Sequence, residues 1–376
     1  MVFNRADVTS FDQSIFEKAI LAGHISGNGP FTKLAEELLE NCLNVNKVLL
    51  TTSCTHALEL SALLSGLENG DEVIVPSWTF VSTASAFALM GAKPIFVDSR
   101  ADTLNIDPSL VERAITQRTK AICIVHYGGV ACEMEKLEDL AKAYGLILIE
   151  DNAHGLAAKY RGKNLGTFGA MATNSFHETK NLTCGEGGCL VLNDEMLVDR
   201  AEILREKGTN RKSFFRGLVD KYTWVDLGSS WVPSDLLAGI LVGQLGRIDS
   251  INSKRLEIWN RYHTQIGDWA ERNGVTLPFV PPGCEHVGHL YHLRFKSGSE
   301  RSRFINHMDE RGVSCVFHYQ PLHNSPVGRS FGGFDGQCPI AETAGECLVR
   351  LPIYNSLTPT DQERVISAVT QFSCGV

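Results

Sequence analysis

Between residues 47 and 151, short apolar runs alternate with segments of helical periodicity, and this alternation constrains the fold more than any other feature. Residues 47–50, 72–76, 94–98, 121–125 and 146–149 read as strands. Residues 57–65, a segment opened by Ser77-Trp78-Thr79-Phe80 and running through Leu89, a segment capped by Asp107-Pro108, and residues 134–144 read as helices. Strands and helices interleaved so closely form a mainly parallel sheet with helices on its faces, an α/β fold. Ligands of such sheets sit beyond the carboxyl ends of the strands. Ser53, Trp78, His126 and Asp151 all fall at those ends.

The flanking segments are less regular. Residues 11–21 and 31–43 have helical spacing, joined by a loop with three glycines and Pro30. That loop reads as a connector or as the cover of a pocket. Two short strands, 170–173 and 189–192, enclose Lys180, and a charged helix spans 195–207. A basic, polar loop follows over 208–217; it reads either as a phosphate holder or as solvated chain. A long helical pattern from Ser234 to about Asn273 breaks near Asp249 and leads to a smaller unit with strands at 287–295 and 313–319 and helices at 301–311 and 360–369. The expected division is 1–250 and 251–376.

Composition limits the function classes. Hydrophobic residues at 43% and charged residues at 21% support a large core. A formal charge of -8 with no Lys/Arg-rich run argues against nucleic-acid binding. The first residues lack a signal-peptide core, and no apolar run of about 18 or more residues occurs, so a cytoplasmic protein without a membrane span is expected. The 11 cysteines are irregularly spaced with no Cys-x-x-Cys, which fits reduced thiols and no metal site.

Chemistry concentrates at Asn174-Ser175-Phe176-His177-Glu178-Thr179-Lys180-Asn181, which runs into Gly185-Glu186-Gly187-Gly188. The glycines precede a strand rather than opening a helix, so they are no dinucleotide fingerprint. The lysine is the better signal. Paired with a strand-end acid, Asp151, and an anion-ready helix start, Ser53-Cys54-Thr55, it completes the minimal set for pyridoxal phosphate: an imine-forming amine, an acid for the ring nitrogen and a phosphate cradle.

In this order and spacing, Ser53-Cys54-Thr55, Pro76-Ser77-Trp78-Thr79-Phe80, Glu150-Asp151-Asn152-Ala153-His154 and Ser175-Phe176-His177-Glu178-Thr179-Lys180 resemble the DegT/DnrJ/EryC1/StrS sugar aminotransferases, within the fold type I (aspartate aminotransferase-like) enzymes. The resemblance covers nearly the whole chain. It implies a mainly parallel seven-stranded sheet plus a smaller α/β C-terminal domain, and a homodimer whose sites form between subunits. It assigns Lys180 to the imine and proton transfer, Asp151 to the pyridine nitrogen and Trp78 to the ring face. Cys54 and Thr55 N–H groups with Ser53 and Ser175 would hold the phosphate, and His154 would sit near the ring hydroxyl. Where many relatives place a partner-donated Asn, this chain has Gly228-Ser229-Ser230, so the hydroxyl of Ser229 or Ser230 is the candidate substitute.

One branch is the most similar. Residues 205–211, 214–217 and 220–224, with His126-Tyr127, His318-Tyr319 and Pro321-Leu322-His323, resemble the dTDP-4-amino-4,6-dideoxygalactose transaminases, which serve surface polysaccharides such as enterobacterial common antigen. The implied partners are L-glutamate/2-oxoglutarate and dTDP-4-dehydro-6-deoxy-D-glucose, with His318, Tyr319, Lys207 and Arg211 on the substrate side. Amination at C3, a UDP-linked sugar, or a non-catalytic regulator are the rival readings.

Overall fold

The computed structural model describes residues 1–217 and 219–374. The strands in chain order are β1 (Lys47–Thr51), β2 (Glu72–Pro76), β3 (Lys93–Val97), β4 (Thr119–Val125), β5 (Ile147–Asp151), β6 (Lys159–Tyr160), β7 (Lys163–Asn164), β8 (Met171–Ser175), β9 (Gly188–Leu192), β10 (Cys284–Glu285), β11 (Tyr291–Arg294) and β12 (Leu348–Leu351). The helices are α1 (Ser10–Leu21), α2 (Pro30–Leu43), α3 (Cys54–Leu64), α4 (Ser82–Leu89), α5 (Pro108–Ala114), α6 (Met134–Tyr144), α7 (Val198–Arg205), α8 (Arg211–Phe215), α9 (Asp235–Leu245), α10 (Ile248–Asn273), α11 (Gly298–Glu310), α12 (Pro326–Ser330), α13 (Pro339–Cys347) and α14 (Pro359–Thr370).

A seven-stranded sheet in the order β1-β9-β8-β5-β4-β2-β3 organises the first part of the chain. β9 is antiparallel to both β1 and β8, and the remaining pairs are parallel. Every strand but β9 therefore points the same way, and their carboxyl ends share one rim. The two faces alternate residue by residue. Leu49, Val73, Val75, Cys123, Ile149, Met171 and Leu190 pack toward α3, α4 and α7. Ile74, Ile122, Ile124 and Leu148 pack toward α5 and α6, and Val48, Leu50, Cys189 and Val191 toward α2 and α9. With both faces covered, the strand centres are mostly apolar on both sides, which explains why they read as runs rather than alternations.

A second core holds α10, α11 and α14 against the β11–β12 pair, with Trp259, Tyr262, Trp269, Tyr291, Phe304 and Val365 inside it. The long helical pattern does break, at Gly246-Arg247, and the C-cap of α10 is Gly274 in the left-handed region at φ 64°. Three sequence expectations fail. Residues 313–319 form no strand; only an isolated bridge, Val316 to Arg350, is made there. The helix expected over 195–207 starts as a 3-10 turn and α7 ends at Arg205. Helix α4 begins at Ser82, because Ser77 is held in the preceding loop by His323 Nδ1 at 2.6 Å.

One buried ion pair locks the N-terminal helices to the sheet. Arg205 Nη1 donates to Glu36 Oε1 at 2.6 Å and to the Leu50 carbonyl, and Nη2 donates to Asn28. Glu36 also accepts from Leu50 N–H. Burial would raise the pKa of Glu36, but the guanidinium and the backbone donor hold it below the usual carboxylate value. Removing one partner strands the other charge in the core. Arg205→Met is expected to lower unfolding stability by about 3–5 kcal/mol in a urea titration, and adding Glu36→Leu to it is expected to recover part of that loss.

Candidate active site

Register explains which groups meet at the rim. Gly188 of β9 pairs with Thr51 on one side and Ser175 on the other. The end of β1, and with it the start of α3, is thereby set beside the end of β8. Gly188 lies against this turn so closely that a Cβ there would collide with Cys54 N and the Ser53 carbonyl carbon. Ser53 caps α3, its hydroxyl accepting from His56 N–H at 3.1 Å and its carbonyl from Ala57 N–H. The N–H groups of Cys54 and Thr55 are left without an intrahelical acceptor at the positive end of the helix. Ser175, half-buried, faces this turn from the end of β8.

Asp151 ends β5 and follows the parity of Ile149, toward α3 and α4. Thr83 of α4 donates to its Oδ2 at 2.7 Å, and Ala153 N–H donates to Oδ1 at 3.2 Å. Thr79 bonds Thr83 at 2.8 Å and completes a buried hydroxyl chain. Burial raises the carboxyl pKa of Asp151, opposed by Thr83, Ala153 and the Lys180 amine. Its neighbour Glu150 has the opposite parity. Glu150 accepts from His126 Nε2 at 2.9 Å and from Gly166, Phe168 and Gly169 N–H. His126 is thus a structural group under the sheet, and the expectation that it lines the rim is corrected by the same two-residue period.

Lys180 sits in the loop between β8 and β9. The loop is pinned by Phe176, which is fully buried, and by the bonds Lys180 N–H to His177 O, Cys184 N–H to Phe176 O and Thr183 Oγ1 to Phe176 O. Asn181 fastens it from the other side, donating to Asn252 Oδ1 and the Val287 carbonyl and bonding His289 Nδ1 at 3.0 Å. Burial, foremost, and the charge of Arg350 lower the Lys180 pKa from its ordinary 10.5, while Cys54 and Asp151 act the other way. Lys180 and Asp151 feel each other's charge yet make no ion pair among the described residues.

A small pocket is lined by His154, Ser175, Lys180, Asn181, Val287 and His289, with Ala153, Leu156 and Leu182. His154 accepts from Gly128 N–H at 3.2 Å, approaches the Tyr319 hydroxyl at 3.3 Å and stacks on His289 at 4.2 Å. Burial, then the positive charges of Lys180 and Arg350, hold this ring well below the usual histidine pKa and therefore neutral. Beyond it, Tyr127 bonds His318 Nδ1 at 2.8 Å, and Trp78, 1% exposed, meets the Tyr127 and Tyr319 rings edge-on.

Ser53, Cys54, Thr55, Trp78, Asp151, His154, Ser175, Lys180, His318 and Tyr319 therefore gather around one rim. Lys207, Arg211 and Ser229 do not line this pocket within a single chain. They lie exposed on the excursion after α7, where Lys207 N–H donates to the Ser229 carbonyl. Sequence reasoning missed Thr83, Asn181, His289 and Arg350. The only available signals were the hydroxyl spacing of Thr79 and Thr83 and the histidines at 286, 289 and 292.

A model of the DegT/DnrJ/EryC1/StrS aminotransferase family matches residues 7–370. The chain belongs to that family. It is 34% identical to the spore coat polysaccharide biosynthesis protein SpsC of Bacillus subtilis over 349 residues, covering 91% of this chain and 89% of that protein. The aminotransferase TlmJ of Streptoalloteichus hindustanus superposes with a TM-score of 0.90 at 30% identity, 98% of each chain covered. The putative sugar aminotransferase Spr1654 of Streptococcus pneumoniae, in its PMP form, gives 0.91 at 26% identity, also with 98% of each chain. The fold is that of the PLP-dependent fold type I aminotransferases, and the family's cofactor is pyridoxal phosphate.

The residues present fit that cofactor: free N–H groups at a helix start suit its phosphate, a buried carboxyl suits its ring nitrogen, and an amine of lowered pKa suits its aldehyde. Thr83→Val is expected to weaken cofactor binding about tenfold or more, read by fluorescence titration. Capture of the aldehyde needs neutral Lys180, so its rate should rise with pH and level off below 10.5. Asp151→Asn removes a group that raises this pKa, and stopped-flow absorbance should show the midpoint moving to lower pH.

Proposed function

We propose that this aminotransferase moves the amino group of L-glutamate to C4 of dTDP-4-dehydro-6-deoxy-D-glucose. The products are 2-oxoglutarate and dTDP-4-amino-4,6-dideoxy-D-galactose, destined for surface polysaccharide. The observation that carries the reading is the placement of Lys180 and Asp151 at one rim, coupled in charge but unpaired, beside the open start of α3. The polysaccharide context of SpsC and the sugar aminotransferase description of Spr1654 support a sugar acceptor. The choice of branch rests on the motif resemblance at 205–224 and 318–323.

Pyridoxal phosphate, when bound, supplies an electron sink that acidifies the carbon bearing the nitrogen. The chain does the rest. Cys54 and Thr55 N–H groups and the Ser175 hydroxyl would hold the phosphate. Asp151, steadied by Thr83, would hold a proton on the ring nitrogen. Trp78 and neutral His154 would bound the ring's surroundings, and Lys180 Nζ would carry the proton between the substrate carbon and the cofactor's C4′. His318 and Tyr319 would face the substrate. A homodimer is part of the proposal: Phe80, Val81, Trp224 and Leu227 are large, apolar and exposed, with Trp224 at 75%, and a second copy covering them would bring Ser229, Lys207 and Arg211 to the neighbouring site.

The test is direct. Purified protein loaded with cofactor should show the absorbance of a lysine imine, shift on adding L-glutamate, and lose both in Lys180→Ala. Mass spectrometry and NMR of products from dTDP- and UDP-linked 4-keto and 3-keto sugars would identify the acceptor. A product aminated at C3, or only from a UDP sugar, would replace the C4 assignment.

A further inference from the structure

The Pro321-Leu322-His323 segment and the serine before Trp78 meet in a buried chain of side chains that the proposed chemistry does not use. Ser77 Oγ lies 2.6 Å from His323 Nδ1, and His323 Nε2 lies 2.8 Å from Glu342 Oε1. Ser77 Oγ also accepts from the His323 backbone N–H at 3.4 Å. The hydroxyl proton therefore goes to Nδ1, and the ring keeps its own proton on Nε2 for the carboxylate. Serine, histidine and acid in this order are those of a hydrolase triad. Ser77 and His323 are both 0% exposed, however, so this hydroxyl is closed to any substrate.

The chain instead joins two segments 246 positions apart. Every polar group of Ser77 is engaged at the junction: its N–H donates to the Val97 carbonyl at 2.9 Å, and its carbonyl accepts from Leu322 N–H at 3.0 Å. Both ring nitrogens of His323 are engaged as well, and Gly336 N–H holds Glu342 Oε1 from the other side at 2.7 Å. A Cβ at Gly328 would collide with the Leu322 carbonyl, and one at Gly333 with the His323 carbonyl, so α12 and the loop after it close tightly over this backbone.

The neighbours of the junction form the aromatic wall of the site. Trp78 follows Ser77, and His318 and Tyr319 lie just before His323. Trp78 meets Tyr319 at 5.6 Å and His318 at 6.3 Å between ring centroids, both edge-on, and His318 stacks on Tyr319 at 3.7 Å. Ring contacts are less directional than the buried hydrogen bonds beside them. Past Trp78, Thr79 bonds Thr83 and Thr83 donates to Asp151, so the segment 77–83 reaches from the junction to the acid.

Resting on the assignment of Trp78 to the ring face of the cofactor, we propose that Ser77 and His323 are positioning residues, with Glu342 orienting the histidine. They hold Trp78 and the His318–Tyr319 pair in one register around the cofactor. Being closed to solvent, they act through the tryptophan and not on substrate.

Two histidine variants part the two bonds. In His323→Asn the amide oxygen can stand where Nδ1 stood and accept from Ser77; in His323→Gln the amide nitrogen can stand where Nε2 stood and donate to Glu342. Ser77→Ala removes the first bond alone. Fluorescence measures energy transfer from tryptophan to the bound cofactor, and Trp78→Phe identifies the share that Trp78 contributes. Cofactor dissociation constants and urea unfolding of the cofactor-free protein are measured alongside. Ser77→Ala and His323→Gln should weaken cofactor binding about tenfold and lose most of the Trp78 share. His323→Asn should stay near wild type in both readouts, even where urea shows it to be no more stable than His323→Gln. If a histidine variant does not fold, Ser77→Ala carries the test. Unchanged binding and transfer in Ser77→Ala, or a loss in His323→Asn as large as in His323→Gln, overturns the positioning role while the aminotransferase stands. A wild type whose energy transfer is untouched by Trp78→Phe removes Trp78 from the ring face, and the proposal with it.

Discussion

A carboxyl and an amine, both withdrawn from water at one rim of the sheet and kept from pairing with each other, are what the rest of the structure serves. Left alone, two such groups would close into an ion pair and become inert. Asp151 is held by Thr83 of α4 and by the Ala153 N–H just beyond β5, and Lys180 by a loop anchored through Phe176 and Asn181. The gap is thus maintained by two independent parts of the chain. Burial raises the acid's pKa and lowers the amine's, so both are ready to exchange protons with something placed between them.

The reversed strand β9 makes this arrangement possible. Lying antiparallel between β1 and β8, it returns the chain from the Lys180 loop while keeping both neighbours pointed at the same rim. Gly188 is the hinge of that design, since any side chain there would push the start of α3 away from Ser175. The start of α3 and the Lys180 loop are therefore spaced by backbone hydrogen bonds, which are stiffer than side-chain contacts.

Much of the site was legible because motif residues at strand ends are tied to the fold class. Where the reading failed, the reasons are physical. His126 looked like a rim residue, but its parity along β4 sends it under the sheet to Glu150. Residues 313–319 have the composition of a strand, yet β12 already takes β11 as its full partner and leaves that segment a single bridge. Ser229, Lys207 and Arg211 stand on an exposed excursion, so one chain alone gives them no pocket to line.

The sequence by itself determined the α/β class, the order of the strands along the chain and the identity of the acid, the amine and the helix start, because each depends on local pattern and spacing. Only the tertiary structure decided which neighbour of each pair faces the site, Asp151 over Glu150 and Tyr127 over His126, since that follows from register across strands. It alone brought Arg350, far along the chain and embedded in an apolar run, to the wall around Tyr127. Contacts between residues so distant in sequence leave no periodic signature.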